Sequence, residues 1–380
     1  MVISTVFILL LFTVCNGFTY NNLQKRSYIN MKSDSPPDSW KLLSQSFKDV
    51  ARKWFIKRAE DVGIDWYGLV TENKKDMNRL KELYESSMDH SIIYPNYYTQ
   101  AFHGYDTGNL NWDAALEGEA ATLSMAVNYW KEANPITTQD WLRYNVTNNI
   151  QNYIRESSPY LHISNILDVG CSVGISTEFL YKTFRDAKNI TGLDLSPFFI
   201  AMAKLRSEKF KFPINYYHKN GEDMVVIDDN SQELVVCNFI MHELPEEATI
   251  NIINEAYRIL KPGGVIAIVD LTPRAINDNL LVNKFRKWAF EVTEPHIYGY
   301  YNRNLLQILS DSRFHKVECV KNDPINSIWL GSKLEDIFTE YDYYEEEYKN
   351  IPSIDTEIVE NTKNNDDEET LLKYSRVEFV

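Results

Sequence analysis

The chain has 380 residues, is 44% hydrophobic and carries a formal net charge of −15 at pH 7. That is ample for one α/β domain with additions and for a sizeable core. The charge is unevenly placed, since residues 333–380 hold fifteen acidic against five basic residues, and no basic or aromatic-basic stretch points to nucleic acid.

Residues 1–17 contain an apolar run from Val6 to Val14. It is too short to span a bilayer but has the length of a signal-peptide core. Residues 18–35 follow with Lys25, Arg26 and Lys32, and no acid occurs up to Ser33. A signal-like run followed by a basic, acid-poor segment resembles the two-part leader of proteins sent to a secondary plastid; secretion is the alternative. Removal of the leader would leave Cys171, Cys237 and Cys319, an odd number that builds no disulfide framework and weighs against secretion. Without the leader no stable membrane span is expected.

Residues 36–150 read as a helical lead-in, with helical spacing over 39–70 and 77–87. Glycines and aromatics interrupt the pattern over 101–119, before a helix reaching about residue 129. His103, Tyr105 and Trp112 there either pack as a cap on the core or help to cover a ligand pocket, and both roles are compatible.

The domain expected over 151–332 is organised around residues 165–194. Ile166, Leu167, Asp168 and Val169 form a short apolar run suited to a strand covered on both faces. Gly170 and Gly174 bracket a turn, and a helix over 175–184 would aim its free N–H groups at that turn. A second strand ends at Asp194, where a carboxylate can accept hydrogen bonds from a ribose, as in nucleotide-binding α/β folds. The spacing lacks the G-x-G-x-x-G of a dinucleotide site. A loop Asn220-Gly221-Glu222-Asp223 follows, then a strand over 233–238, then His242-Glu243. The segment Lys261-Pro262-Gly263-Gly264 leads into a further strand ending at Asp270.

These motifs, in this order, resemble class I S-adenosylmethionine-dependent methyltransferases. The resemblance implies a three-layer α/β sandwich with a seven-stranded, mostly parallel Rossmann-like sheet, its order reversing beside the first glycine turn, behind the N-terminal helical lead-in. It also implies S-adenosyl-L-methionine as cofactor, bound by Asp168, Gly170, Cys171, Gly174, Asp194, Leu195, Asn220, Gly221, Glu222 and Asn238. His242 and Glu243 would face the transferring methyl. A neutral His242 near pH 7 could take a proton, with Glu243 orienting it or binding the substrate instead; alternatively Glu243 caps the following helix and His242 packs. The segment 101–119, with His242-Glu243 and Thr293-Glu294-Pro295, is further similar to a plant-type plastid methyltransferase group. That likeness places Glu294, Tyr298, Tyr301 and His103 on the other side of the pocket.

The remaining chain reads as an amphipathic helix over 275–290, a short helix over 304–310 and an antiparallel hairpin of strands over 314–320 and 325–330. The acidic tail 333–380 is expected to be disordered or loosely helical. The function implied is methyl transfer to a small-molecule acceptor at O, N or C. A non-catalytic cofactor-binding regulator and a protein methyltransferase of the same fold are the alternatives. No metal is called for: His242-Glu243-Leu244-Pro245-Glu246 lacks the second histidine of a zinc-protease helix. Oligomeric state stays open.

Overall fold

The computed structural model describes residues 38–127, 130, 133–273 and 293–334, with side chains from residue 50 onward. The expected leader, the helix over 275–290 and the tail beyond residue 334 lie outside the described residues.

Seven strands form one sheet: β1 Asn165–Val169, β2 Asn189–Asp194, β3 Ile214–His218, β4 Gln232–Asn238, β5 Leu260–Leu271, β6 His315–Lys321 and β7 Asn326–Ser332. Their order is β3-β2-β1-β4-β5-β7-β6. The first five run parallel, and β7 enters antiparallel between β5 and β6. The order therefore reverses between β1 and β4, which opens a crevice at their carboxyl ends. The expected seven-stranded sheet and closing hairpin are present.

Side chains alternate faces along each strand, so a continuous apolar run supplies two cores. Leu167, Val235, Cys237, Ile266 and Ile268 pack on one face with Ile252, Ile253 and Ala256 of the helix α8 Glu246–Ile259. Their sequence neighbours Ile166, Leu234, Val236, Val265 and Ala267 pack on the other. There they meet Leu142, Val146, Ile150 and Tyr153 of α5 Pro135–Ser157. This helix runs unbroken through residue 150, so the expected division at that point falls inside it. The face also receives Leu180 of α6 Ile175–Thr183.

The lead-in comprises α1 Asp38–Asp61, α2 Trp66–Lys74, α3 Met77–Ser87 and α4 Trp112–Ala126. The helical spacing over 39–70 belongs to two helices. Gly63 takes φ +91°, where an L side chain is strained, and Asp65 caps the next helix by accepting from Gly68 N at 2.9 Å. Both are stop and start signals that apolar periodicity does not register. Leu80 and Leu83 of α3 and Ala114, Ala115 and Leu116 of α4 pack on Phe199, Met202 and Leu205 of α7 Pro197–Phe210. The lead-in is thus built onto the helix that follows β2. The two short helices near the end are α9 Ile297–Tyr300 and α10 Leu305–Asp311, the latter capped by Asn304.

Candidate functional site

The turn after β1 is held from below. Asp168 is fully buried and accepts from Ser176 Oγ at 2.9 Å, Thr177 Oγ1 at 2.7 Å and Asn238 Nδ2 at 3.2 Å. Burial raises its carboxyl above the usual range, against the pull of these donors. Asp168 therefore ties β1, the start of α6 and the end of β4 together, beneath the cavity rather than in its wall. Gly170 has φ +72°, and a Cβ there would stand 2.6 Å from Ile240 Cγ2. The glycine lets the segment after β4 lie directly against the turn. Gly170 N and Cys171 N both donate to Leu193 O, at 2.8 and 2.9 Å, wrapping the turn over the end of β2. Gly174 starts α6 and lies behind the wall, where Tyr216 leaves no room for a side chain.

Asp194 accepts from Ser172 N at 2.9 Å and Ser196 N at 2.8 Å. Burial pushes its carboxyl up to about 6 despite those two bonds. A carboxylate offers about four lone-pair sites, so acceptor capacity is left for hydroxyl donors. Asp194, Leu195, Cys171 and Gly170 line a cavity of about 470 Å³, as do Asn220, Gly221 and Asn238. That volume lies within the range of small-molecule pockets. Asn238 Oδ1 is buried without a partner among the described residues, an acceptor atom left for a ligand's N–H. The donor and acceptor set fits S-adenosylmethionine: Asp194 for the ribose, Asn238 for the methionyl end, and the Asn220-Gly221 loop beside them. Glu222 is turned away from the cavity, accepting from Tyr97 Oη at 2.6 Å and Asn251 Nδ2 at 3.0 Å.

The lead-in roofs this site through specific bonds. Ser196 Oγ donates to Asn109 O at 2.8 Å, and Asp89 N donates to His218 Nδ1 at 3.0 Å. His218 Nε2 lies 3.1 Å from Leu195 O. Burial lowers the His218 pKa, which agrees with a neutral ring accepting at one nitrogen and donating at the other. Tyr97, Tyr98, His103 and Tyr105 all reach the cavity wall.

Past β4 the chain turns sharply at Phe239, a non-glycine residue with φ +58°, and His242 and Glu243 occupy a short helical turn, Met241–Glu243. Both line the cavity. His242 Nδ1 lies 2.7 Å from Asp270 Oδ1, and His242 N donates to Asp270 Oδ2 at 3.1 Å. Asp270 is the penultimate residue of β5 and is fully buried, so the pair spans the carboxyl ends of adjacent strands. His103 Nε2, from the lead-in, stands 3.1 Å from Glu294 Oε1 and 3.5 Å from Glu243 Oε1. Tyr298 and Tyr301 do not line the cavity. Glu243 is not the cap of α8, whose Pro245 N-cap makes no side-chain bond. His242 does more than pack, because its ring is held by a buried carboxylate.

The electrostatics alter the expected protonation. Burial alone would discharge His242, but Asp270, then Glu294 and Glu243, outweigh it and lift the ring to about 9. Burial is likewise outweighed at His103 by Glu294 and Glu243, to about 9. Burial raises the Glu243 carboxyl against the pull of both imidazoles. The neutral imidazole expected near pH 7 is therefore not the resting state of His242. Among the described residues no group of His, Cys, Asp or Glu side chains is placed to hold a metal ion.

Asp270 had no sequence-based role, although the signal existed. Like Asp194, it is an acid ending an apolar β run. Tyr98 and Phe239 carried no such signal; only the packing brings them to the wall.

Comparison with known proteins finds likeness over part of the chain. The family described as "Methyltransferase domain" matches residues 166–264. Ubiquinone biosynthesis O-methyltransferase of Hydrogenovibrio crunogenus is 34% identical over 99 residues, covering 26% of this chain and 39% of that protein. The protein of the same name from Sodalis glossinidius is 30% identical over 114 residues, covering 30% and 44%. The chain thus spans less than half the length of these curated relatives. Among solved structures, Haemonchus contortus phosphoethanolamine N-methyltransferase 2 in complex with S-adenosyl-L-methionine aligns with TM-score 0.37 and 17% identity, covering 50% of this chain and 53% of that one.

Proposed function

We propose that this chain, whose residues 166–264 are a methyltransferase domain, is an S-adenosylmethionine-dependent methyltransferase acting on a hydroxyl or amine of a small molecule. The observation that carries the reading is the buried His242–Asp270 pair, 2.7 Å apart, in which His242 lines the same cavity as Asp194 and Asn238 and Asp270 holds the ring from behind. When bound, S-adenosylmethionine supplies a methyl group on a sulfonium, already activated for in-line displacement. The protein's task is then alignment, exclusion of water and removal of a proton from the nucleophile. Asp194 holds the ribose, and the roof from the lead-in shuts out solvent. Asp270 fixes the His242 ring through Nδ1, and it is the deprotonated fraction of the ring, growing as pH rises towards about 9, whose Nε2 takes the acceptor's proton. A proton-bearing heteroatom is the acceptor this arrangement serves, and the names of the relatives favour oxygen. The finer likeness to plant-type plastid methyltransferases belongs to this proposal and rests on sequence motifs alone.

The test combines radiolabelled methyl transfer into small-molecule extract, mass identification of the product, and calorimetry with S-adenosylhomocysteine. His242→Ala should lower kcat about 10²–10⁴-fold with cofactor-product affinity unchanged. Asp270→Asn should fall in the same range, since the ring loses its orienting charge. Undiminished turnover per folded molecule in both variants would remove His242 as the base.

A further inference from the structure

One base suffices for one transferred methyl, and His242 with Asp270 provides it. His103, Glu243 and Glu294 line the same cavity without being needed for that step. Glu294 is 4% exposed, and its Oε2 is buried with no hydrogen-bond partner among the described residues, while Oε1 faces His103. Counting Asp270 and His242, three carboxyl groups stand against two imidazoles, a net negative charge when all are ionised. A buried net charge with an unpartnered oxygen is costly unless a ligand balances it.

The position of the cluster points to which ligand. Ile240, three residues before Glu243, packs against Gly170 so tightly that a Cβ there would lie 2.6 Å from its Cγ2. Tyr98, in the cavity wall, lies in the field of both Asp194 and Glu243. Glu243 therefore stands near the glycine turn and on the Asp194 side of the cavity, with Glu294 joined to it through His103, in the region where the group joined to the ribose must lie.

We propose that Glu243 and Glu294, bridged by His103, read the positive charge of the sulfonium and so distinguish the charged cofactor from its neutral product, S-adenosylhomocysteine. This rests on the cofactor assignment above but not on His242 being the base. A carboxylate attracts the sulfonium and is nearly indifferent to a thioether, while an imidazolium at the same place repels it. Acid and imidazole variants must then shift the selectivity in opposite directions, which a purely structural role would not produce. His103 comes from the lead-in, so its share in the selectivity depends on the segment that roofs the sheet.

Calorimetry at pH 8 on the full chain decides it, with S-adenosylmethionine, S-adenosylhomocysteine and sinefungin, which carries an amine in place of the methylsulfonium. Glu294→Gln should lower the ratio Kd(S-adenosylhomocysteine)/Kd(S-adenosylmethionine) about tenfold, roughly 1.4 kcal/mol. Affinity for S-adenosylhomocysteine should stay within about threefold. Glu243→Gln should act in the same direction, His103→Gln should raise the ratio, and sinefungin should follow S-adenosylmethionine. Should Glu294→Gln fail to melt cooperatively, Glu243→Gln carries the test, its side chain being 22% exposed. An unchanged ratio in the folded acid variants overturns the inference, as does a fall in His103→Gln. Failure of all three ligands to bind the unaltered protein would instead overturn the cofactor assignment, and the inference with it.

Discussion

At the scale of single residues, the site is set by which charges are placed out of water. His242 and His103 both titrate near 9 because neighbouring carboxylates outweigh the cost of burial. An imidazole whose folded pKa lies above its unfolded value of about 6.5 stabilises the fold fully below that pH. The contribution is lost as pH rises through about 9. Thermal stability should therefore fall between pH 7 and 10, and His242→Asn should flatten that fall while lowering stability at pH 7. His103, with its side chain 38% exposed, should contribute less because solvent screens it. A fall of equal size in His242→Asn would show that the pair with Asp270 is not what couples stability to pH. Gly170 illustrates a second lesson. Its need for glycine follows from φ +72° and from Ile240, so a side chain there would disturb the turn itself before it met any ligand.

Between elements, few bonds do much of the positioning. Ser196 caps α7 through Phe199 N at 3.3 Å and also donates to Asn109 O of the lead-in at 2.8 Å. It sits two residues past Asp194 and gives that carboxylate its backbone N–H. Ser196→Ala should lower stability by about 1–2 kcal/mol, the cost of a lost cap with a buried acceptor left unpaired. It should also weaken S-adenosylhomocysteine binding, since the roof and Asp194 share the residue. Denaturant unfolding with parallel calorimetry checks both. A loss of stability with unaltered binding would mean that the roof closes without this bond.

Over the whole molecule, the compact unit that carries the sheet ends at Glu335, and most of the net negative charge follows it. Truncation after Glu335 should leave the melting temperature and S-adenosylhomocysteine affinity unchanged; a drop in either assigns the tail a part in the fold. The address is a separate question. We propose that residues 1–35 route the protein through the secretory pathway into a plastid. A fluorescent reporter fused to residues 1–60 should collect there, and one that ends in the medium or the cytosol overturns the proposal. Among the described residues no helix is long and apolar enough to cross a membrane.

Where the sequence was sufficient, the reason was local. Short apolar runs, two glycines at fixed spacing and an acid at a strand end made β1, β2, β4 and β5 and the turn at Gly170 legible. Each reflects backbone geometry within a few residues. Gly63 and Asp65, which end one helix and start the next, are equally local signals, but helical periodicity masks them. What only tertiary structure decided is how distant segments meet. Asp168 proved to be a brace because Ser176, Thr177 and Asn238 converge on it from two other elements. Asp270 became the partner of His242 because β4 and β5 lie side by side with their carboxyl ends together. His103 reached Glu243 and Glu294 across more than a hundred residues because α3 and α4 pack on α7 and carry the intervening loop over the crevice. Residue type and spacing fix what a side chain can do, but its charge state and its partners depend on burial and on neighbours that chain order does not list.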